Sequence, residues 1–210
     1  MDASAPSRFR TFLILGAPGS GKGTQGVVLG KIPRFHHLAC GDVFRSLDTR
    51  TPLGQKFVEY SSRGELVPDD VTVQLWRANI NQRVESHTFK PEIDFLVLDG
   101  IPRNVEQAKH MEADIEVLKV FHLSCPDRTE LARRLRKRAL KDNRFDDASD
   151  TVIQKRFATY EAETKPILEY YSGDRIVDID ASQSPAKVLY DILGHVMRLD
   201  AWQQIELMKA

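Results

Sequence analysis

The run Gly16-Ala17-Pro18-Gly19-Ser20-Gly21-Lys22-Gly23-Thr24 has the residue types and spacing to hold a polyphosphate. Glycines let the backbone turn tightly and come close to phosphate oxygens, and the amides of such a turn point at the anion. A helix starting at the end of the loop adds its positive N-terminus. Lys22 can reach the β- and γ-phosphates, and the Thr24 hydroxyl can touch a Mg²⁺ ion. The strict pattern has Ser or Thr directly after the lysine, whereas here Gly23 intervenes. Taken alone, the loop implies a nucleoside triphosphate and leaves the acceptor open.

Four further segments point to a second phosphorylated ligand. In Asp99-Gly100-Ile101-Pro102-Arg103-Asn104-Val105-Glu106-Gln107, the carboxylate at the end of an apolar run could hold Mg²⁺ through water. A helix starting near Arg103 would project Arg103 and Gln107 from one face, one toward a phosphate and one toward a base edge. Asp42 is expected to cap a helix at Gly41-Asp42, with Arg45 reaching inward. The stretch Gly64-Glu65-Leu66-Val67-Pro68-Asp69 could line a base pocket with backbone groups. Arg134 and Arg138 are four apart on one helical pattern, Arg144 precedes Asp146-Asp147, and Arg156 falls on the next helix. Alone, each arginine is an ordinary solvated residue. Opposite a phosphate loop, they are the positive forks that phosphoryl transfer needs around the moving group.

Such a site needs elements to position it. Phe12–Leu15, Phe95–Leu98, Leu118–Leu123 and Ile176–Ile179 read as buried strands, with Phe35–Leu38 as a short fifth. Continuous apolar strands alternating with helices imply a parallel sheet covered on both faces. Thr51 with Pro52 starts a helix that Gly64 stops, and Ser184 with Pro185 starts another. Along that last helix Val188, Leu189, Ile192, Leu193, Val196 and Leu199 form an apolar stripe, which reads as core packing or, as the minority reading, an oligomer contact. Gly173 fits a helix stop ahead of Ile176.

The 210 residues suit one compact domain or a core with small inserts, and thirty basic residues balance thirty acidic ones. That balance argues against a broad basic field for nucleic acid. No apolar run approaches a membrane span, and residues 1–10 carry no apolar segment of a signal peptide. The two cysteines, Cys40 and Cys125, form no CxxC pair, so structural zinc and a disulfide framework are not expected and a cytoplasmic setting is.

Together these segments resemble the adenylate kinase family of nucleoside monophosphate kinases. GAPGSGKGTQ, HLACGDVFR, GELVPD, FLVLDGIPRNVEQ and the arginine series occur in the family's order from about Thr11 onward. The resemblance implies a P-loop α/β/α fold with a five-stranded parallel sheet, a helical insert for the monophosphate at residues 39–67, and a short lid without zinc at residues 139–147. It implies ATP and AMP as substrates, with Mg²⁺, in a monomer. Lys22 and the loop amides would hold the ATP phosphates, with Arg134 along the adenine. Cys40, Arg45, Glu65, Leu66, Val67, Gly100, Arg103 and Gln107 would bind the monophosphate, with Arg45 and Arg103 on its phosphate and Gln107 on its base. Arg138, Arg144 and Arg156 would surround the moving phosphoryl group, and Asp99 would orient hydrated Mg²⁺. Ala39-Cys40 stands where Ser-Thr is usual, which resembles the pyrimidine monophosphate branch, and Ile101 replaces a phenylalanine. A UMP/CMP-type kinase, a P-loop kinase of a small metabolite and a non-catalytic nucleotide sensor remain the alternatives.

Overall fold

The computed structural model describes residues 8–142, 149–171 and 173–207. Five strands form one parallel sheet: β1 (Phe9–Gly16), β2 (Phe35–Ala39), β3 (Phe95–Asp99), β4 (Ile115–Ser124) and β5 (Ile176–Asp180), in the order β2-β3-β1-β4-β5. The α/β class and the five strands match the sequence reading, with each strand extended by one to four residues. All five strands are parallel because a helical crossover follows each of β1 to β4.

Successive side chains of β1 point to opposite faces, and each face has its own core. Phe12 and Ile14 pack with Phe35, Phe95 and Phe121 beneath α1 (Lys22–Leu29), with α6 (Arg128–Asp142), α9 (Pro185–Val196) and α10 (Asp200–Leu207) covering that side. Leu13 and Leu15 pack with Leu38, Leu96 and Leu98 against α4 (Asp69–Glu85), α5 (Val105–Met111) and α8 (Ile167–Tyr171). Burial on both sides is why the strands read as apolar runs rather than alternating ones. The stripe on α9 is core, since Val188, Ile192 and Val196 are all buried.

Between β2 and α4 lie α2 (Cys40–Arg45) and α3 (Pro52–Ser62). Thr51 caps α3 as expected, its hydroxyl accepting from Gly54 N–H at 3.1 Å. Asp42 does not cap α2. The N-cap is Ala39, and Asp42 sits inside the helix with its carboxylate 2.5 Å from an Arg45 guanidinium nitrogen. α7 (Asp150–Thr159) runs into a π-helical turn at Tyr160–Thr164. Residues 139–142, read from the sequence as the start of the lid, continue α6 as helix. β1 lies between β3 and β4, so its carboxyl end opens into the crevice where such sheets take ligands.

Candidate active site

The phosphate loop leaves β1 at Gly16 and enters α1 at Lys22. Its glycines answer two demands. Gly16, Gly19 and Gly21 have φ of 147°, 86° and 98°, a region that favours glycine. The loop is also wedged against its neighbours: a Cβ on Gly16 would lie 2.6 Å from Leu123 O, and one on Gly19 2.7 Å from Leu131 O. The end of β4 and the first turns of α6 thus seat the loop.

Lys22 folds over the loop, with Nζ donating to Gly16 O at 2.7 Å and Ala17 O at 3.2 Å. Its proton affinity is low, at a pKa of about 8. Burial is the largest cause; Asp99 opposes it, and the guanidinium groups of Arg103, Arg138 and Arg156 add to it. Those charges come from the end of β3, the loop after it, α6 and α7. The fold therefore gathers around one lysine four groups that span residues 99 to 156 in the chain. Asp99 also faces the loop directly, since a Cβ on Gly23 would meet its Oδ2 at 3.4 Å. Thr24 follows on an exposed turn of α1.

A second corner lies beside the first. A Cβ on Gly41 would stand 2.9 Å from Arg45 Nη2, and one on Gly100 3.4 Å from Arg103 Nη2 and 4.0 Å from Gly41 N. Arg45, Arg103 and these two glycines therefore share one small space. Cys40 is buried against them, and burial above all raises its thiol to about 11, with Arg103 and Arg45 opposing.

A cleft of about 580 Å³, with Asn104 next in sequence to Arg103 on its wall, runs past Glu65, Leu66, Val67 and Asp69 to α7. Gly64 closes its rim against α7: a Cβ there would be 3.1 Å from both Arg156 Cγ and Val152 O, and Gly64 O accepts from the Thr159 hydroxyl at 3.2 Å. Gln107, 1% exposed, does not line the cleft but is bonded to two residues that do, Asp69 and Asn104. Arg103 and Gln107 do not share a helix face, because α5 begins only at Val105, with Asn104 as its N-cap. Instead Arg103 N–H donates to Gln107 Oε1 at 2.7 Å, and Gln107 N–H donates to Asn104 Oδ1 at 2.8 Å.

On the opposite flank of the loop, Arg134 is tied to Glu130 Oε1 at 2.8 Å and to Ala181 O, past the end of β5, at 3.0 Å. Arg144, with Asp146 and Asp147, lies outside the described residues.

Against known proteins, the family model described as "Adenylate kinase" matches residues 14–176. The adenylate kinase of Corynebacterium diphtheriae is 39% identical over 186 residues, covering 87% of this chain and 96% of that protein. The adenylate kinase of a Cyanothece species is 34% identical over 187 residues, covering 86% and 91%. Adenylate kinase 1 of Schistosoma mansoni is 31% identical over 195 residues, covering 91% and 94%.

This chain belongs to the adenylate kinase family. It is a phosphotransferase whose acceptor is a phosphate group. Within that adenylate kinase frame, the phosphate loop, Asp99, Arg103, Arg138 and Arg156 meet at one point, Arg45 joins Arg103 at a second, and Arg134 lies apart on the β5 side. Residues that sequence reasoning passed over also shape the site. Thr164, on the π-helical turn, donates to Arg103 O at 2.7 Å and so holds the loop bearing that arginine. No sequence periodicity marks such a turn. Asn104 carried a usable signal, because Asn followed three residues later by Gln fits a capping box.

Proposed function

We propose that this protein catalyses the reversible transfer of a phosphoryl group from ATP to AMP, giving two ADP, with Mg²⁺ as the accompanying ion. One observation carries the reading: Lys22 on the phosphate loop shares its electrostatic surroundings with Arg103, Arg138 and Arg156, while Arg103 also stands beside Arg45. Arg103 thus belongs to two phosphate-binding corners, where an acceptor phosphate would have to sit to meet a γ-phosphoryl group.

In this reading the loop amides from Gly16 to Thr24 and Lys22 Nζ hold the donor phosphates. Arg134 lies along the donor base, and Arg45 and Arg103 grip the acceptor phosphate. Arg138 and Arg156, with Arg144, neutralise charge on the moving group. No general base is required, because the acceptor is already an ionised phosphate. Catalysis consists of alignment, charge neutralisation and exclusion of water. Asp99 faces the loop beside Gly23 and would hold a hydrated cation through water, with Thr24 at its side. When bound, Mg²⁺ neutralises phosphate charge. Glu65, Leu66 and Val67 line the acceptor cleft, with Gln107 reading the base from behind Asp69 and Asn104.

This reading calls on residues of a single chain and so needs no second subunit to complete the site. Among the described residues no helix is long and apolar enough to cross a membrane. Both cysteines are buried free thiols, as suits a reducing cytoplasm.

The test is a coupled assay of ATP against AMP, CMP, UMP, GMP and dAMP, with two adenosines joined by five phosphates as inhibitor. AMP should give the highest kcat/KM, and inhibition should be competitive against both nucleotides. Competition against ATP alone would favour a small-metabolite kinase, and tight ATP binding without turnover a sensor. Cys40 favours a second reading, a pyrimidine monophosphate kinase, because a buried neutral thiol is a poor replacement for a hydroxyl that recognises AMP. A higher kcat/KM with CMP or UMP would establish it.

A further inference from the structure

We infer that Asp69 is a positioning residue for base recognition: it holds the Gln107 carboxamide in one of its two flips and so sets the acceptor site against uracil. The inference rests on the reading of the cleft as the acceptor site. Asp69 lines that cleft at the first turn of α4. Its Oδ1 accepts from Gln107 Nε2 at 2.7 Å, and both its oxygens lie 3.0 Å from Asn104 Nδ2. Asn104 in turn caps α5 at the Gln107 N–H, so the carboxylate is anchored to the same turn that carries Gln107.

The two ends of the Gln107 side chain are constrained oppositely. An ionised carboxylate only accepts hydrogen bonds, so the amide nitrogen must face Asp69. The Arg103 N–H only donates, so the amide oxygen must face Arg103. In the reverse flip, Gln107 oxygen would face a carboxylate and its NH₂ would face another N–H, leaving buried groups unpaired. The carboxamide retains one N–H and one lone pair. In a fixed orientation these read one order of donor and acceptor along a base edge. Adenine offers a ring acceptor beside an exocyclic amino donor, and cytosine has the same order. Uracil, at the same pair of positions, has the reverse: a ring N–H donor beside the 4-carbonyl acceptor. A locked glutamine therefore separates adenine from uracil, and a glutamine free to flip separates them poorly.

Asp69 is also an acidic residue in a helix first turn, where it favours the dipole of α4. That role alone would make its loss affect all acceptors alike. The test compares kcat/KM for AMP, CMP and UMP in the unmodified protein, Asp69→Asn, Gln107→Ala and the double variant. Asn keeps the size of Asp but can present either a carbonyl or an NH₂ group to Gln107. In Asp69→Asn the AMP-to-UMP ratio should fall about three- to tenfold, the scale of one hydrogen bond, while the AMP-to-CMP ratio moves less. In the Gln107→Ala background the same substitution should leave the ratio where Gln107→Ala put it. A proportional loss with all three acceptors, or a ratio that moves equally in both backgrounds, overturns the role of Asp69. Absence of turnover with every monophosphate in the unmodified protein overturns the reading of the cleft itself.

Discussion

A Cβ built on Gly23 would come 3.4 Å from Oδ2 of Asp99. The two residues are 76 positions apart, yet strand pairing fixes them together, because Ile14 of β1 is in register with Asp99 of β3. The glycine after the loop lysine, which departs from the strict phosphate-loop pattern, keeps open the space in front of that carboxylate. In the proposed reaction that carboxylate would hold the hydrated cation through water.

Gly23→Ala should therefore make the protein more stable and less active. Ala is favoured over Gly inside a helix by roughly 0.5–1 kcal/mol, while its methyl group narrows the space before Asp99. A raised Tm with a kcat lowered about tenfold is expected, about 1.4 kcal/mol of barrier. Gly23→Val should lose more. Thermal melts and steady-state rates on the same samples check this, and wild-type turnover by Gly23→Val would show that the space is not used.

Lys22→Met should lower kcat about a thousandfold, roughly 4 kcal/mol of barrier. It should also stabilise the ligand-free fold at neutral pH. Lys22 binds its proton with a pKa of about 8 in the folded protein against 10.5 ordinarily. Below pH 8 both states are protonated, and the folded state bears the whole cost of the crowded charge. Between pH 8 and 10.5 the folded state gives up its proton first, and the cost is relieved as pH rises. The Tm advantage of Lys22→Met should accordingly shrink between pH 7.5 and about 9.5. An advantage that does not vary with pH would argue against this charge.

Arg103→Ala should raise the KM for AMP and also lower kcat, since Arg103 stands at both phosphate corners. The ATP KM should change little. If only the ATP KM changed, Arg103 would belong to the donor side alone.

Acid should weaken the fold through two histidines on β2. His36 and His37 are both pushed below 6.5, above all by burial, with Arg83 adding to it. The Arg83 guanidinium only donates, so His36 Nε2, 2.9 Å from Arg83 Nη1, must be the acceptor and the ring neutral. The unfolded chain binds these protons more readily, so this stability is present above pH 6.5 and is lost as pH falls below it. The urea midpoint should drop between pH 7.5 and 5.5, and by less in His36→Gln, whose amide oxygen can also accept from Arg83. An equal drop in both would place the acid sensitivity elsewhere.

The fold was legible wherever local chemistry dictates local structure. β1 and β3 could be read because a strand buried on both faces must be apolar throughout, and α3 and α9 because a hydroxyl followed by proline marks a helix start. The phosphate loop was legible because only glycines tolerate its backbone and its approach to Leu123 and Leu131. Two local readings went astray for one reason: alternatives of similar energy compete at helix ends. Ala39 took the cap expected of Asp42, and Asn104 took the start of α5 expected near Arg103.

By itself, then, the sequence determined the sheet, the loop and the roster of arginines, because residue type and short-range spacing carry that information. Only the tertiary structure decided which charges meet. Arg103, Arg138 and Arg156 converge on Lys22 because β3, α6 and α7 are packed around the end of β1, and that packing is set by apolar contacts in the two cores rather than by the arginines. The fixed orientation of Gln107 is tertiary too. It depends on Asp69, 38 residues earlier, and a hydrogen bond that chooses between two flips of an amide leaves no trace in the order of residues.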